Sequence, residues 1–108
     1  MTLRQALALA IKALRKAKNL TQEDFGIVSS RTYLSTLERG LKSPTLDKLE
    51  DISNVLGVPP LSLLLLTYAI KTGQSNYEEA VDAIANDARA AIYNAKLSGF
   101  SGGQEPLK

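Results

Sequence analysis

Apolar residues recur every three or four positions along most of this chain, and almost no stretch alternates apolar and polar residues with period two. Spacing of this kind places apolar side chains on one face of an α-helix. Most glycines and prolines lie between these periodic segments, where they end or separate helices. The pattern therefore predicts an all-α protein with helices over about residues 3–18, 22–28, 30–39, 46–56, 60–72 and 76–97.

Polar residues at the starts of these segments and glycines at their ends support the predicted boundaries. Thr2 and Gln5 have the spacing of a capping box, and Ser75 and Glu78 repeat it before the last segment. The other predicted caps and stops are Asn19, Thr21, Ser29 or Ser30, Gly40, Thr45, Gly57 and Gly99.

The segments at 22–28 and 30–39 are short and follow each other with almost no connection. A short helix is marginal in water by itself, so both must be packed by their neighbours. The second helix of such a pair can then leave one face bare, and the major groove of DNA is wide enough to admit it. This arrangement is typical of a helix-turn-helix.

Composition excludes several kinds of chemistry. The 108 residues contain no cysteine and no histidine, which removes disulfides, zinc-thiolate sites and every Ser-His or Cys-His nucleophile. Two pairs of adjacent carboxylates, Glu23–Asp24 and Glu78–Glu79, have no accompanying nucleophile or base, and neighbours on a helix point apart. We therefore expect no enzyme activity, no cofactor and no metal site.

Charge is unevenly distributed along the chain. Residues 1–50 hold nine Lys and Arg against five acids, a balance of +4, whereas residues 51–108 hold four against six, a balance of −2. Chance scatter of solvated charges would also give such a difference. The basic half nevertheless favours a surface that faces a polyanion, with a different role for the acidic half.

Four sequence blocks carry a resemblance to a known family. They are residues 20–26 (LTQEDFG), 30–40 (SRTYLSTLERG), 43–46 (SPTL) and 55–58 (VLGV). In this order they resemble the Cro/repressor-type helix-turn-helix family, also called the xenobiotic-response-element type, over about residues 3–66. The resemblance implies a five-helix, lambda-repressor-like domain that binds double-stranded DNA. Here that domain carries an extra C-terminal helix.

The resemblance implies that the helix at 30–39 reads base edges through Ser30, Arg31, Thr32 and Thr36. The spacing agrees, because Leu34 and Leu37 must turn inward and leave Arg31 and its neighbours on other faces. Arg is the natural bidentate reader of guanine, and Thr offers a hydroxyl or contacts a thymine methyl. In the alternative interpretation Arg31 is an exposed charge that contacts only phosphate.

Other residues match positions that hold the DNA backbone or brace the fold. Gln22 matches the family position that contacts a phosphate, and helix N-termini favour anions. In the alternative interpretation Gln22 is a capping side chain that never meets DNA. The predicted phosphate contacts that follow are Tyr33, Arg39, Lys42 and Ser43. The resemblance also pairs Arg15 with Glu38, which would brace the recognition helix.

One departure from the family pattern concerns the turn. Only Ile27, Val28 and Ser29 separate Gly26 from Ser30, about two residues fewer than the family pattern has. The family normally has a longer first helix and a glycine in the turn. This leaves the tilt of the second helix open.

The C-terminal part is predicted to form an interface. The segment at 60–72 is rich in leucine, and the last helix carries a heptad-like apolar seam. We expect a homodimer built from these two helices, through Leu63, Leu66, Tyr77, Val81, Ile84, Ala88 and Ile92. Two alternatives stay open: the last helix folds back on its own chain, or it binds another protein.

These expectations combine into one functional hypothesis. Residues 1–72 form the DNA-binding domain, 73–97 a helix for dimerisation, and 98–108 a flexible tail. The chain would be a cytoplasmic repressor that binds a palindromic operator as a homodimer, and no membrane span is expected because the apolar run at 61–70 is too short. The alternative is an antitoxin that binds a toxin partner and regulates its own operon.

Overall fold

The computed structural model describes residues 1–73, 76–97 and Gly99. Within these residues the chain forms five α-helices and no strand: α1 (Leu3–Ala17), α2 (Arg31–Glu38), α3 (Leu46–Leu56), α4 (Pro60–Thr72) and α5 (Tyr77–Leu97). One 3-10 turn, Gln22–Phe25, lies between α1 and α2. The chain divides into two compact units, residues 1–75 and 76–108. The all-α fold predicted from the sequence is confirmed.

Helix α1 begins and ends as its sequence predicts. Thr2 Oγ1 accepts a hydrogen bond from the Gln5 backbone N–H at 3.2 Å, and the Thr2 N–H donates to Gln5 Oε1 at 2.8 Å, which completes the capping box. Beyond the helix, Asn19 adopts a left-handed conformation with φ 57° and turns the chain. Leu7 and Ile11 are buried, whereas Leu3 is exposed and lies outside the core.

The segment at 22–28 is not the α-helix that the periodicity predicts. It contains only the 3-10 turn, in which the N–H groups of Asp24 and Gly26 bond to carbonyls three residues earlier. A run this short gains little from α-helical hydrogen bonds, and Gly26 weakens it further. Phe25 is fully buried and holds the turn against the core.

Helices α3 and α4 meet at a sharp bend. Thr45 caps α3, Gly57 ends it in a left-handed conformation with φ 74°, and Pro60 is the first residue of α4. In the described part of the chain, no single helix is both long and apolar enough to cross a membrane. Helices α3 and α4 reach that length and hydropathy only as a pair bent by 98°.

The core of the first unit is aliphatic apart from Phe25. Helix α1 packs against α4 and α2, and α3 packs against α4 and the 3-10 turn. The buried cluster draws side chains from every one of these elements: Leu7, Ala10, Ile11, Phe25, Leu34, Leu37, Leu49, Ile52, Leu56 and Leu63.

The leucines of α4 correct one part of the predicted interface. Leu63 is fully buried within the core of its own unit, and Leu66 is half-buried against that core. Leu63 therefore has no surface to offer a second chain, and its assignment to a dimer interface is wrong. The physical reason is that α4 packs against α1. This packing buries apolar side chains of α4 that the sequence pattern alone assigns to an exposed face. Of the large apolar side chains of α4, Leu61 and Tyr68 are exposed.

The second unit contains α5. Asn76 caps its first turn, because Asn76 Oδ1 accepts a hydrogen bond from the Glu79 N–H at 3.2 Å. The first turn of α5 carries acidic residues and the last turn carries a lysine, a distribution that the helix dipole favours. On the predicted seam, Tyr77, Ala88 and Ile92 are exposed, and Val81 and Ile84 are partly exposed. Ser75 and the predicted flexible tail lie outside the described residues, except for Gly99.

Candidate nucleic-acid interface

Helix α2 has one buried face and one open face. Leu34 and Leu37 point into the core and are essentially inaccessible, whereas Arg31 and Thr32 are exposed. An α-helix with its side chains is about 10–12 Å across, and the major groove of B-DNA, about 12 Å wide, admits it. The open face therefore has the size and polarity of a surface that contacts base edges.

Ser30 begins α2 as its N-cap. Its Oγ accepts from the Tyr33 backbone N–H at 3.0 Å, so the hydroxyl satisfies one of the free N–H groups of the first turn. Ser30 is exposed, and its hydroxyl proton is not used by this bond. Capping and an outward contact are therefore compatible at this position.

Arg31 forms an ion pair with Glu23 of the 3-10 turn, between Nη2 and Oε1. Both side chains are largely in solvent, with 68% and 71% of their surface exposed. The sequence does not predict this pair, since Glu23 is there only one of two adjacent carboxylates. The spacing of eight residues carries no signal for it, since the contact depends on how the turn folds back.

Thr36 is the least accessible of the four predicted base-reading residues. It is half-buried, and its Oγ1 donates to the Thr32 carbonyl at 2.7 Å, one turn earlier in the helix. Its hydroxyl proton is therefore occupied. The methyl group of Thr36 remains available for an apolar contact, and its hydroxyl oxygen can still accept a hydrogen bond.

Basic and polar residues follow α2 at its C-terminal end. Arg39, Lys42 and Ser43 are exposed, as a surface that meets phosphates requires. Tyr33 is half-buried, and the Lys42 ammonium lies 5.5 Å from the centre of its ring. The structure thus brings Tyr33 and Lys42 together, which stabilises the orientation of both side chains.

Lys48 is a residue that the sequence reasoning missed. Its ammonium lies 5.4 Å from the centre of the Tyr33 ring and donates a hydrogen bond to the Val28 carbonyl. It therefore ties the first turn of α3 to the shortened connection before α2. Because the contact joins residues 20 positions apart, only the three-dimensional fold reveals it.

Arg15 and Glu38 form a bidentate ion pair beneath α2. Arg15 Nε donates to Glu38 Oε2 at 2.7 Å and Nη2 donates to Oε1 at 3.0 Å, while Nη1 donates to the Leu20 carbonyl at 3.0 Å. The side chains are 13% and 2% exposed. The hydrogen bonds to Glu38 raise the pKa of Arg15, although burial partly opposes them, so the guanidinium stays charged. The structure therefore brings together the two residues that the sequence pairs.

Gln22 joins the same network. Its Nε2 donates to Glu38 Oε1 at 3.2 Å, and the side chain is half-buried. In this structure the amide is thus a third ligand of the Glu38 carboxylate. The second N–H of Nε2 is not used by this bond, so a contact from Gln22 to phosphate is compatible with the hydrogen bond to Glu38.

Comparison with known proteins places this geometry in a family. The family model "Helix-turn-helix" matches residues 11–63, which include the 3-10 turn, α2 and α3. The uncharacterized HTH-type transcriptional regulator y4dJ of Sinorhizobium fredii is 38% identical over 69 residues, which are 62% of this chain and 90% of that protein. This chain belongs to the helix-turn-helix family of DNA-binding transcriptional regulators. The predicted resemblance is therefore confirmed.

Two further relatives resemble the regulator. Control protein C.BamHI of Bacillus amyloliquefaciens is 40% identical over 60 residues, 53% of this chain and 74% of that protein. The immunity repressor protein of Bacillus phage phi105 is 35% identical over 103 residues, 90% of this chain and 70% of that protein. The second similarity thus extends well beyond the helix-turn-helix.

Solved structures support the fold. The clp gene regulator ClgR of Corynebacterium glutamicum is similar with a TM-score of 0.59 and 30% identity, over 63% of the regulator and 91% of that chain. A second structure of ClgR gives a TM-score of 0.60 at 24% identity, over 91% of the regulator and 95% of that chain, and shows likeness of fold alone.

Across residues 1–73 and 76–97, no group of three or more carboxylate, histidine or cysteine side chains is positioned to hold a metal ion.

Proposed function

We propose that this regulator represses transcription by binding a palindromic operator as a homodimer. The observation that carries the proposal is the open face of α2, where Arg31 and Thr32 are exposed while Leu34 and Leu37 anchor the opposite face in the core. An anchored helix with polar residues on its free side presents those residues in a fixed register, as base readout requires.

Within this proposal the base-reading residues have distinct roles. Arg31 donates two hydrogen bonds to guanine, and Thr32 and Ser30 offer hydroxyls near the N-terminus of the helix. Thr36 contributes through its methyl group, because its proton is committed to the Thr32 carbonyl. Its role in recognition is therefore smaller than the sequence alone suggests.

The phosphate contacts are proposed to lie on both sides of α2. Arg39, Lys42 and Ser43 follow the helix, and Tyr33 is positioned by the two lysines that lie over its ring. Gln22 precedes the helix, where free N–H groups also favour an anion. Contacts of this kind fix orientation but carry no sequence information.

Repression is supported by the extent of one similarity. The similarity to the immunity repressor covers 90% of this chain, so it is not confined to the helix-turn-helix. The homodimer rests on α5, where Tyr77, Ala88 and Ile92 are exposed and Val81 and Ile84 partly so. A row of apolar side chains at heptad spacing buries well against a second copy.

Selection of bound duplexes from a random library tests the proposal. The expected result is a palindrome whose half-sites are separated by about 34–36 Å, one turn of DNA. A reporter gene placed behind the selected site should then be silenced by the full chain. Enrichment of no sequence would contradict the proposal, and selective binding that needs a small basic partner protein would favour the antitoxin alternative.

A further inference from the structure

We propose that Glu23 is a positioning and specificity-determining residue, which holds the Arg31 guanidinium for base readout and weakens attachment to DNA of the wrong sequence. This inference rests on the proposed function, because it assigns a role to Glu23 within the same interface. It concerns a residue of the 3-10 turn rather than of the recognition helix.

The geometry of the pair leaves Arg31 able to read a base. Glu23 Oε1 is joined to Nη2. A guanidinium has five N–H donors, and Nη2 carries two of them. The guanidinium of Arg31 can therefore donate two hydrogen bonds to guanine from one edge while its other edge remains bound to the Glu23 carboxylate. In this arrangement Glu23 reduces the freedom of a long side chain before DNA arrives, which lowers the entropic penalty of the specific contact.

Among the described residues, the Arg31 ion pair is the one contact that explains the position of the Glu23 side chain. Among the described hydrogen bonds its side chain has one partner, Arg31, whereas the neighbouring Asp24 accepts from the Thr21 N–H at 2.7 Å and completes a capping box. An ion pair as exposed as Arg31–Glu23 adds little to folding stability. A role of Glu23 in binding therefore explains its position better than a contribution to folding stability.

The charge of Glu23 affects the two kinds of DNA complex differently. In a non-specific complex Arg31 contacts phosphate, and a carboxylate beside it both competes for the guanidinium and repels the backbone. In the specific complex Arg31 contacts the base edge, and the carboxylate remains its partner. Glu23 therefore penalises the non-specific complex more than the specific one, which increases the ratio of the two affinities.

Binding of Glu23→Gln tests the inference. Affinities are measured at several salt concentrations for the selected operator and for a duplex of unrelated sequence. Loss of one exposed charge interaction should raise non-specific affinity about two- to fivefold and steepen its salt dependence, while operator affinity stays equal or falls. The ratio of specific to non-specific affinity should therefore drop. Glu50→Gln is the matched control, because Glu50 is an exposed acid on α3 and its loss changes the net charge equally.

Two further measurements complete the test. Combined with Arg31→Ala, Glu23→Gln should no longer change the affinity ratio, since the side chain that it positions is absent. Glu23→Ala should lower the ratio as Glu23→Gln does. Equal increases for both duplexes, or the same change in Glu50→Gln, would overturn the inference. The wild-type chain provides the separate check: failure to prefer any operator would overturn the proposed function and the role of Glu23 with it, whereas an operator preference that Glu23→Gln leaves unchanged would overturn the role of Glu23 alone.

Discussion

Arg15, near the end of α1, holds the carboxylate of Glu38, the last residue of α2, by two hydrogen bonds of 2.7 and 3.0 Å. Glu38 is almost completely buried, and its other hydrogen bond comes from Gln22. The pair therefore fixes the C-terminal end of α2 to α1. It also explains why an acid is compatible with a helix that we propose faces a polyanion: the carboxylate is buried on the protein side.

Arg15→Met should destabilise the protein by about 3 kcal/mol, because it leaves a buried carboxylate without its counter-ion. Glu38→Leu should cost less, since Arg15 is closer to solvent. The double variant should be more stable than Arg15→Met alone, because it leaves neither charge unpaired. Urea denaturation followed by circular dichroism measures all three free energies of unfolding. Strict additivity of the two single changes would show that the residues are not coupled.

Ser53→Ala should stabilise the protein by about 1 kcal/mol. Ser53 on α3 is fully buried, and within the described residues its Oγ is the buried side-chain polar atom that has no hydrogen-bond partner. Removing an unsatisfied hydroxyl from the core relieves its desolvation, and alanine also has the higher helix propensity.

Thr67→Val is the matched control for Ser53→Ala. Thr67 on α4 is equally buried, but its Oγ1 donates to the Leu63 carbonyl at 2.7 Å. Valine keeps the shape and removes that bond, so we expect a loss of about 0.5–1 kcal/mol. Denaturant midpoints separate the two effects. Ser53→Ala that destabilises as much as Thr67→Val would show that the Ser53 hydroxyl is satisfied in solution.

Sequence patterns predict most of this fold because its determinants are local. The capping box of Thr2 and Gln5 depends on neighbouring residues alone, and the left-handed turn at Asn19 needs only the conformational tolerance of asparagine. Leu63 shows the limit. Its burial depends on how α4 packs against α1, and a leucine-rich helix has the same pattern whether its surplus faces its own core or a partner.

The candidate site was predictable where a single helix generates it. Inward leucines determine the open face of α2, so Arg31 and Thr32 follow from spacing. The contacts of Glu23 and Lys48 did not follow, since each joins residues of different elements across the shortened turn. Long-range polar contacts have no periodicity, and only the folded backbone brings their partners together.

Lys48→Met should destabilise the protein by about 1–2 kcal/mol and reduce operator affinity. The change leaves the Val28 carbonyl without the lysine and removes one cation from the Tyr33 ring, so the start of α2 loses its link to α3.

Lys42→Met removes the other cation over the same ring, but Lys42 is exposed, and its loss should change stability by less than about 0.5 kcal/mol. Thermal unfolding and operator titration of both variants measure the difference. Equal destabilisation would mean that the Val28 contact contributes nothing.

Arg31→Ala should weaken operator binding by about 1–3 kcal/mol and relax the preference at one base pair, because the proposed bidentate contact to guanine is lost. Arg39→Ala provides the comparison. Arg39 is also exposed, but it lies just after α2, where we propose a phosphate contact, so its loss should weaken binding to all sequences and lower the salt dependence. Titration against a panel of single-base operator variants distinguishes the two. Equal weakening of every duplex by Arg31→Ala would assign Arg31 to phosphate as well.

Ile92→Glu should dissociate the proposed dimer and weaken operator affinity in parallel. Ile92 is about half exposed on α5, and burying it against a second copy would leave the new carboxylate without water or a counter-ion. Ala90→Glu adds the same charge at an exposed position away from the predicted seam, so its mass should match the wild type. Sedimentation equilibrium gives the mass of each variant, and deletion of residues 76–108 extends the test to the whole second unit. If Ile92→Glu and the deletion both remain dimers, each judged against the mass of its own chain, α5 does not join the two copies. An operator read as a palindrome would then require another surface of the first unit, where Leu61 and Tyr68 are the exposed apolar residues of α4.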